Sequence, residues 1–347
     1  MELRNLLNGT KNIMINKKKP IIIAEIGSVH DGSFGNCLKL IECAKDSGAN
    51  VVKLQHHFSE DETIKEAPNP YYFKGENRHQ YFERTSFNLI QWKKIINFCK
   101  KKKIDFLCSV FSIYSYNFLK KLGIKKIKIP SGEITNHPLL SEISKNRKLE
   151  IFMSTGMSNY KEIDQAVKIL KNNNLKIMQC TSIYPCPPDQ VGLNVVEEFK
   201  KKYKKYDIGF SDHTKGNTAA ILALSSGSIY FEKHLTFSKK MYGSDAKYAT
   251  EPKEFYNYVQ QLNEAYIIIN NKIDKNKINH LKSMKKVFQK SILFLKDLKK
   301  GDVIKYKDLC YKKPDIGISA KKYRYFINRK LKKNVKKDQY LKFSDFI

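Results

Sequence analysis

Between residues 21 and 237 short apolar runs recur, and each closes on polar side chains. IIIAEIG (21–27) reaches Glu25, VVKLQHH (51–57) carries Lys53, Gln55 and His56, and IDFLCSVF (104–111) reaches Ser109. IKKIKIPSGE (124–133) carries Lys128, Ser131 and Glu133, and LEIFMSTGM (149–157) reaches Ser154 and Thr155. LKIMQCTSIYP (175–185) ends on Thr181, Ser182 and Tyr184, and YDIGFSDHT (206–214) on Ser211, Asp212 and His213. SIYFEKHLTF (228–237) ends on Glu232 and His234. Apolar runs of this length, rich in Ile, Val and Phe, predict strands.

The segments between them have helical spacing: NCLKLIECAKDSGA (36–49), SFNLIQWKKIINFCKKKK (86–103), YKEIDQAVKILKNN (160–173) and KGNTAAILALSSG (215–227). Several end in Gly or Asn, as helix C-termini do, and Ser86 is placed as the N-cap of the second. Strand–helix alternation repeated eight times predicts an α/β fold, a (β/α)8 TIM barrel. A doubly wound open sheet is the rival, but no G-x-G-x-x-G follows the first strand. In a barrel, the C-terminal ends of all eight strands share one mouth, so polar groups distant in sequence meet there.

The pattern changes after residue 266. The expected division is a barrel over 1–266, a polar and partly helical linker over 267–286, and a small domain over 287–347. That domain has short strands, a KKGD turn, a PDIGIS loop (314–319) and a basic turn at NVKKDQ. About 60 residues make a small independent core, so docking on another surface is expected.

Composition narrows the class. Hydrophobic residues make up 41% of 347, enough for a sizeable core. No apolar stretch approaches the ~20 residues of a membrane span. The N-terminus MELRNLLNGTKNIMINKKKP shows no secretion signal. Cys37, Cys43, Cys99, Cys108, Cys180, Cys186 and Cys310 form no C-x-x-C pair, which fits reduced thiols in a cytoplasmic protein. The net charge of +31 raises a polyanion or nucleic-acid partner as an alternative. Only six of 65 basic residues are Arg, however, and Lys is spread along the whole chain. That distribution reads as solvated faces, with no nucleic-acid or membrane partner.

The chemistry lies in the strand ends. Lys53 and Lys128 sit inside apolar strands, where a cation needs an anion. That anion is either a barrel carboxylate such as Glu25 or Glu133, or a ligand. With Ser131, Ser154, Thr155, Ser182 and Ser211, the lysines suit a phosphate or carboxylate. His213 and His234 end neighbouring strands and can share a divalent ion. Asp212, Glu232 and Asp245 are placed to supply oxygen ligands or orient the rings. Few protein ligands leave positions open for water and substrate.

AEIGSVHDGSFG (24–35), VKLQHH (52–57), KIPSGEITNHPLL (128–140), STGMSNYKEIDQAV (154–167), QCTSIYPCP (179–187), GFSDHTKG (209–216) and EKHLTFSKKMYGSDAKYATEP (232–252) together resemble sialic acid synthases, the N-acetylneuraminate synthase family. The tail, with KDLKKGDVIKYKDL and KKPDIGIS, looks like their antifreeze-like (SAF) domain. The resemblance implies condensation of phosphoenolpyruvate, water and an N-acylated hexose, typically N-acetylmannosamine, to N-acetylneuraminate and phosphate. It also implies Mn2+, with Mg2+ or Co2+ as alternatives, and a domain-swapped homodimer.

By position in the resemblance, His213 and His234 match metal ligands. Lys53, Lys128, Ser131, Ser154, Ser182 and Ser211 surround phosphoenolpyruvate. Glu25, Gln55, Tyr184 and Asp245 line the sugar side, and Glu133 and Glu232 are polar supports. Glu25 is the candidate for stabilising the positive centre at C2 or managing the attacking water. The chain departs from the family at Ser28-Val29-His30, at Val110 before Phe111, and at Lys313-Pro314, where the family has Arg-Pro. Lys313, supplied by the partner chain, lacks the guanidinium fork. These positions bear on the sugar, so legionaminic or pseudaminic acid synthesis from a 2,4-diacetamido hexose is the alternative. A related phosphoenolpyruvate-using synthase acting on a pentose phosphate is disfavoured by the SAF-like tail.

Overall fold

Side chains alternate sides along a strand, and that period decides which groups this molecule turns inward. The computed structural model describes residues 18–70, 73 and 75–347; most of the N-terminal stretch read for a secretion signal lies outside the described residues. Eight parallel strands close into a barrel in chain order. They are β1 (Ile21–Gly27), β2 (Val51–His56), β3 (Asp105–Val110), β4 (Lys126–Ile129), β5 (Glu150–Ser154), β6 (Asn174–Cys180), β7 (Asp207–Asp212) and β8 (Tyr230–His234). β8 pairs with β1 to complete the ring, which is the predicted (β/α)8 barrel.

One side chain set fills the barrel. Ile23, Val51, Leu107, Phe152, Met178 and Tyr230 form an apolar plug in its lower half. The alternate set, including Ile22, Val52, Cys108, Ile127, Met153, Ile177, Phe210 and Phe231, packs outward against the helices. Two residues beyond the plug, in step with it, come Glu25, Lys53, Ser109, Ser154, Cys180 and Glu232. The same period that buries Ile23 and Val51 therefore points these polar groups up into the mouth.

The helices form where periodicity places them, with local shifts. Phe34–Asp46, Tyr160–Ile169 and Thr218–Ser225 fall inside or beside the expected segments. The helix Leu89–Lys102 starts two residues later than expected. Asn88 is its N-cap, in a capping box with Gln91, and Ser86 instead ends the preceding helix Arg78–Thr85. An Asn whose side chain accepts from the third helical N–H, with Gln91 answering back, satisfies two backbone donors that Ser86 cannot reach.

The chain divides into two compact units between Asn271 and Lys272. The helix Pro252–Asn270 runs continuously through the expected boundary at 266, and the helix Lys282–Phe288 occupies the end of the expected linker. The second unit has its own core of Ile292, Phe294, Ile304, Leu309, Phe326, Leu331, Val335, Leu341 and Phe346. Its antiparallel pair is β9 (Ser291–Phe294) and β10 (Leu309–Lys312). Buried Ser291 holds the PDIGIS loop: its Oγ accepts from Ile316 N and Gly317 N and donates to Pro314 O. Among the described residues no helix is long and apolar enough to cross a membrane, and all seven cysteines are free.

Candidate active site

Register brings the polar layer together. Glu25 lies opposite Lys53 on one side and His234 on the other. Gln55 lies opposite Ser109, Ser109 opposite Lys128, and Ser211 opposite Glu232. These groups line a cavity of about 430 Å3 with Ser131, Ser154, Ser182, Tyr184, His213, Glu133 and Asp245. The barrel residues proposed from sequence for catalysis, substrate or metal share this cavity, except Thr155 and Asp212. Lys313 lies in the second unit, its Nζ 5.0 Å from the Phe288 ring centroid.

The lysines are buried and paired. Lys128 Nζ donates to Glu232 Oε2 at 2.7 Å. Lys53 Nζ lies 3.2 Å from Glu25 Oε2 and 3.4 Å from Glu232 Oε1, and donates to Ser109 Oγ. Ser211 Oγ completes Glu232, donating to Oε1 at 3.0 Å. The carboxylate shared by both lysines is therefore Glu232; Glu133 instead accepts from Asn136 Nδ2. Burial pushes the Glu232 carboxyl up, but the ammoniums of Lys128 and Lys53 reverse this and hold it below the usual range. For Lys128, burial outweighs its partner and lowers the pKa. Burial raises Glu25 to about 7, opposed by Lys53 and reinforced by the charges of Glu232 and Asp245.

Hydroxyls crowd one side of this pair. Gly156 N donates to Ser131 Oγ, and a Cβ on Gly156 would lie 2.4 Å from Ser182 Oγ and 2.9 Å from Ser131 Oγ. The glycine of the STGM stretch therefore lets these two serines converge. Ser154 Oγ is buried with no hydrogen-bond partner. Thr155 does not join them, because its Oγ1 donates to Met178 O.

At the ends of β7 and β8 stand the imidazoles. The His213 and His234 ring centroids are 5.7 Å apart, with Tyr184 4.2 Å from His213. His213 Nδ1 is tied to Thr181 O at 2.8 Å, which leaves its other nitrogen free of that bond. His234 Nδ1 is buried without a hydrogen-bond partner, 4.0 Å from Asp245 Oδ2. An imidazole oriented by a carbonyl, beside a second one with an orphaned nitrogen, fits a divalent ion. Among the described residues no group of three His, Cys, Asp or Glu side chains is arranged for a metal. The donor set is thus two imidazoles, which suits an ion that keeps water or substrate in its remaining positions.

Asp212 is not part of that set. Next to inward Ser211 it faces outward, where its carboxylate accepts from Lys233 Nζ at 2.9 Å and from Thr214 N and Oγ1. His56 likewise faces the helices, its Nδ1 2.9 Å from Ser115 Oγ. The sequence reading passed over the cavity residues His57, Phe73, Arg78, Phe82, Phe111 and Met157. For His57 a signal exists: 51, 53, 55 and 57 share one parity. Phe73, Arg78 and Phe82 come from the long connection after β2, where no strand period marks them.

Fold and pocket define a (β/α)8 barrel whose mouth gathers cations, carboxylates, hydroxyls and two imidazoles. The NeuB family model matches residues 40–274, and the chain belongs to the NeuB family and is an enzyme of it. The N,N'-diacetyllegionaminic acid synthase of Campylobacter jejuni is 36% identical over 335 residues, covering 94% of this chain and 99% of that protein. The N,N'-diacetyllegionaminic acid synthase of Legionella pneumophila is 30% identical, covering 90% and 91%. The crystal structure of the N-acetylneuraminic acid synthetase of Leptospira borgpetersenii matches with a TM-score of 0.67 at 28% identity, covering 76% of this chain and 91% of that one.

Proposed function

We propose that the protein condenses phosphoenolpyruvate with a 2,4-diacetamido hexose and water, giving a legionaminic-type nonulosonic acid and phosphate. The observation that carries the reaction class is the make-up of this cavity. Two buried ammoniums, several serines, Glu25, Gln55, Asp245 and two imidazoles line one cavity, with Lys53 and Lys128 each paired to a carboxylate. The acceptor rests on the 36% identity to the Campylobacter jejuni legionaminic acid synthase across nearly the whole of both chains. It also rests on the apolar part of the wall, where Phe73, Phe82, Phe111 and Met157 suit acetamido methyls. N-acetylmannosamine, the typical acceptor of the sialic acid synthases, has the weaker support.

In this reading Lys53, Lys128, Ser131, Ser154, Ser182 and Ser211 bind the phosphate and carboxylate of phosphoenolpyruvate. Its C3 forms a bond to the aldehyde carbon of the open-chain sugar, whose oxygen takes the electron pair and a proton. Water adds at C2, and phosphate leaves by C–O cleavage. Glu25 lies where its carboxylate stabilises the positive centre at C2 or takes the proton of the attacking water. Gln55, Tyr184 and Asp245 orient the sugar. His213 and His234 hold a divalent ion, Mn2+ by preference, which supplies Lewis-acid polarisation of the aldehyde. A cytoplasmic, domain-swapped homodimer, with an antifreeze-like C-terminal unit and Lys313 of the partner subunit at the sugar side, belongs to the same proposal.

The test is phosphate release with mass detection of the acidic sugar, on full-length protein with Mn2+. 2,4-Diacetamido hexoses and N-acetylmannosamine are offered in parallel. Product from a diacetamido hexose is expected. Product from N-acetylmannosamine alone overturns the acceptor, and no product from any sugar overturns the reaction.

A further inference from the structure

His57 is held on all sides. Its ring lies between those of Phe82, with centroids 3.7 Å apart, and Phe111, at 4.2 Å. Its Nδ1 is 2.7 Å from Glu62 Oε2, and its Nε2 is 2.9 Å from Gln55 Oε1. Glu62 is itself fixed, because its other oxygen accepts from Phe58 N at 2.6 Å. Both side chains are only 6% exposed. Beyond Gln55 the row continues: Gln55 Nε2 donates to Glu25 Oε1 at 2.6 Å, and Glu25 Oε2 lies 3.2 Å from Lys53 Nζ.

The direction of this row follows from donor and acceptor chemistry. A glutamine amide has a donor end and an acceptor end of nearly the same shape, so its partners decide which way it points. Glu25 offers only acceptor oxygens when ionised and therefore takes the NH2 end. The oxygen end then faces His57 Nε2, which must donate. A carboxylate oxygen thus faces Nδ1 and the amide oxygen faces Nε2. With Glu25 ionised, the other orientation puts two oxygens face to face in a buried site. Gly27 marks how tightly the end of the row is packed: a Cβ there would lie 3.2 Å from Gln55 Nε2 and 3.3 Å from Glu25 Oε1.

We propose that His57, anchored by Glu62, is a positioning residue for the condensation: it fixes the amide of Gln55, which in turn holds the Glu25 carboxylate toward the reacting centre. His57 acts through Gln55 and not on the substrate. The kinetic effect rests on the condensation proposed above, whereas the hydrogen-bonded row does not.

The test uses full-length His57→Phe, Gln55→Leu and the double variant, with the sugar that the unaltered protein turns over. Phe fills the slot between Phe82 and Phe111 while removing both ring nitrogens. His57→Phe is expected to lower kcat about 10- to 100-fold, the range for a misplaced catalytic group, with KM for phosphoenolpyruvate within about twofold. The double variant is expected to be no slower than Gln55→Leu, because the two residues act as one unit. His57→Gln, which keeps a donor toward Gln55, is expected to restore most of the loss. Glu62→Gln serves as the second variant if His57→Phe does not fold, with a loss in the same direction. Full kcat in His57→Phe, or losses that multiply in the double variant, overturn the proposal. A second readout needs no turnover. With eight histidines, 15N-histidine NMR resolves a hydrogen-bonded His57 Nε2–H, expected in the unaltered protein and lost in Gln55→Leu. A signal unchanged by that substitution overturns the row even if the protein proves to catalyse a different reaction.

Discussion

Lys233 and Asp212 meet at 2.9 Å on the outer face of the barrel wall, each one residue from a candidate metal ligand, His234 and His213. Lys233 also donates to the carbonyls of Thr214 and Gly216 and lies 5.4 Å from the Tyr258 ring centroid of the outer helix. The side chains are 3% and 0% exposed. The pair therefore joins β7, β8 and the loop after β7, and carries the backbone on which the two imidazoles stand. Removing one partner of a buried ion pair leaves the other charge uncompensated, at a cost of about 3–5 kcal/mol. Asp212→Ala is expected to lose stability of that order in urea unfolding while its Mn2+ affinity, measured by titration calorimetry, falls little. Loss of metal binding with stability intact would return Asp212 to the ligand set.

Glu25 is expected to matter for turnover more than for binding. It is buried, held by Gln55 at one oxygen and near Lys53 at the other. Glu25→Gln keeps the shape and removes the charge that a positive centre at C2 requires. Loss of one preorganised electrostatic group costs roughly 100- to 1,000-fold in kcat. Steady-state kinetics are expected to show a fall of that size with KM for phosphoenolpyruvate nearly unchanged. Equal turnover removes Glu25 from the chemistry.

The barrel and most of its mouth were legible because both depend on period two. Ile23 and Val51 point into the plug, so Glu25 and Lys53, two residues on, point into the mouth, and the same count reaches His57. It also turns Asp212 away, since Ser211 faces inward. What the period does not carry is which charges pair across the barrel. Lys128 and Glu232 are 104 residues apart, and only closure of the ring chooses Glu232 over Glu133. The aromatic wall was not legible either, because Phe73 and Phe82 come from a connection whose path is set by tertiary packing. Ser86 shows a third limit: two nearby capping residues, Ser86 and Asn88, compete, and the one able to form the reciprocal pair with Gln91 starts the helix.

The two imidazoles make metal dependence a direct test. His213 is oriented by Thr181 O, and His234 Nδ1 has no partner of its own. Dialysis against a chelator is expected to abolish phosphate release, and Mn2+ to restore it. His213→Ala and His234→Ala are each expected to weaken Mn2+ binding at least about tenfold, since each removes one of the two proposed protein ligands. Phosphoenolpyruvate binding, followed by thermal shift, is expected to survive in both, because Lys53 and Lys128 are untouched. Full turnover by metal-free protein would sink this assignment.

At the other end of the barrel, Asp207 sets an acid limit on stability. Its carboxylate accepts from Lys18 Nζ at 2.8 and 2.9 Å and from Lys176 Nζ at 3.2 Å. Burial alone would raise its pKa, but the two ammoniums reverse this and hold it below the ordinary aspartate value. The unfolded chain then takes up the proton first as pH falls, at about pH 4. The stabilisation is therefore complete above that pH and is lost as pH drops through the lower folded value. Urea unfolding at pH 7 and at about pH 3 is expected to show a smaller loss for Asp207→Asn than for the unaltered protein. Asp207→Asn is also expected to be less stable at pH 7. Two pH profiles that run parallel would mean that Lys18 and Lys176 contribute nothing through this carboxylate.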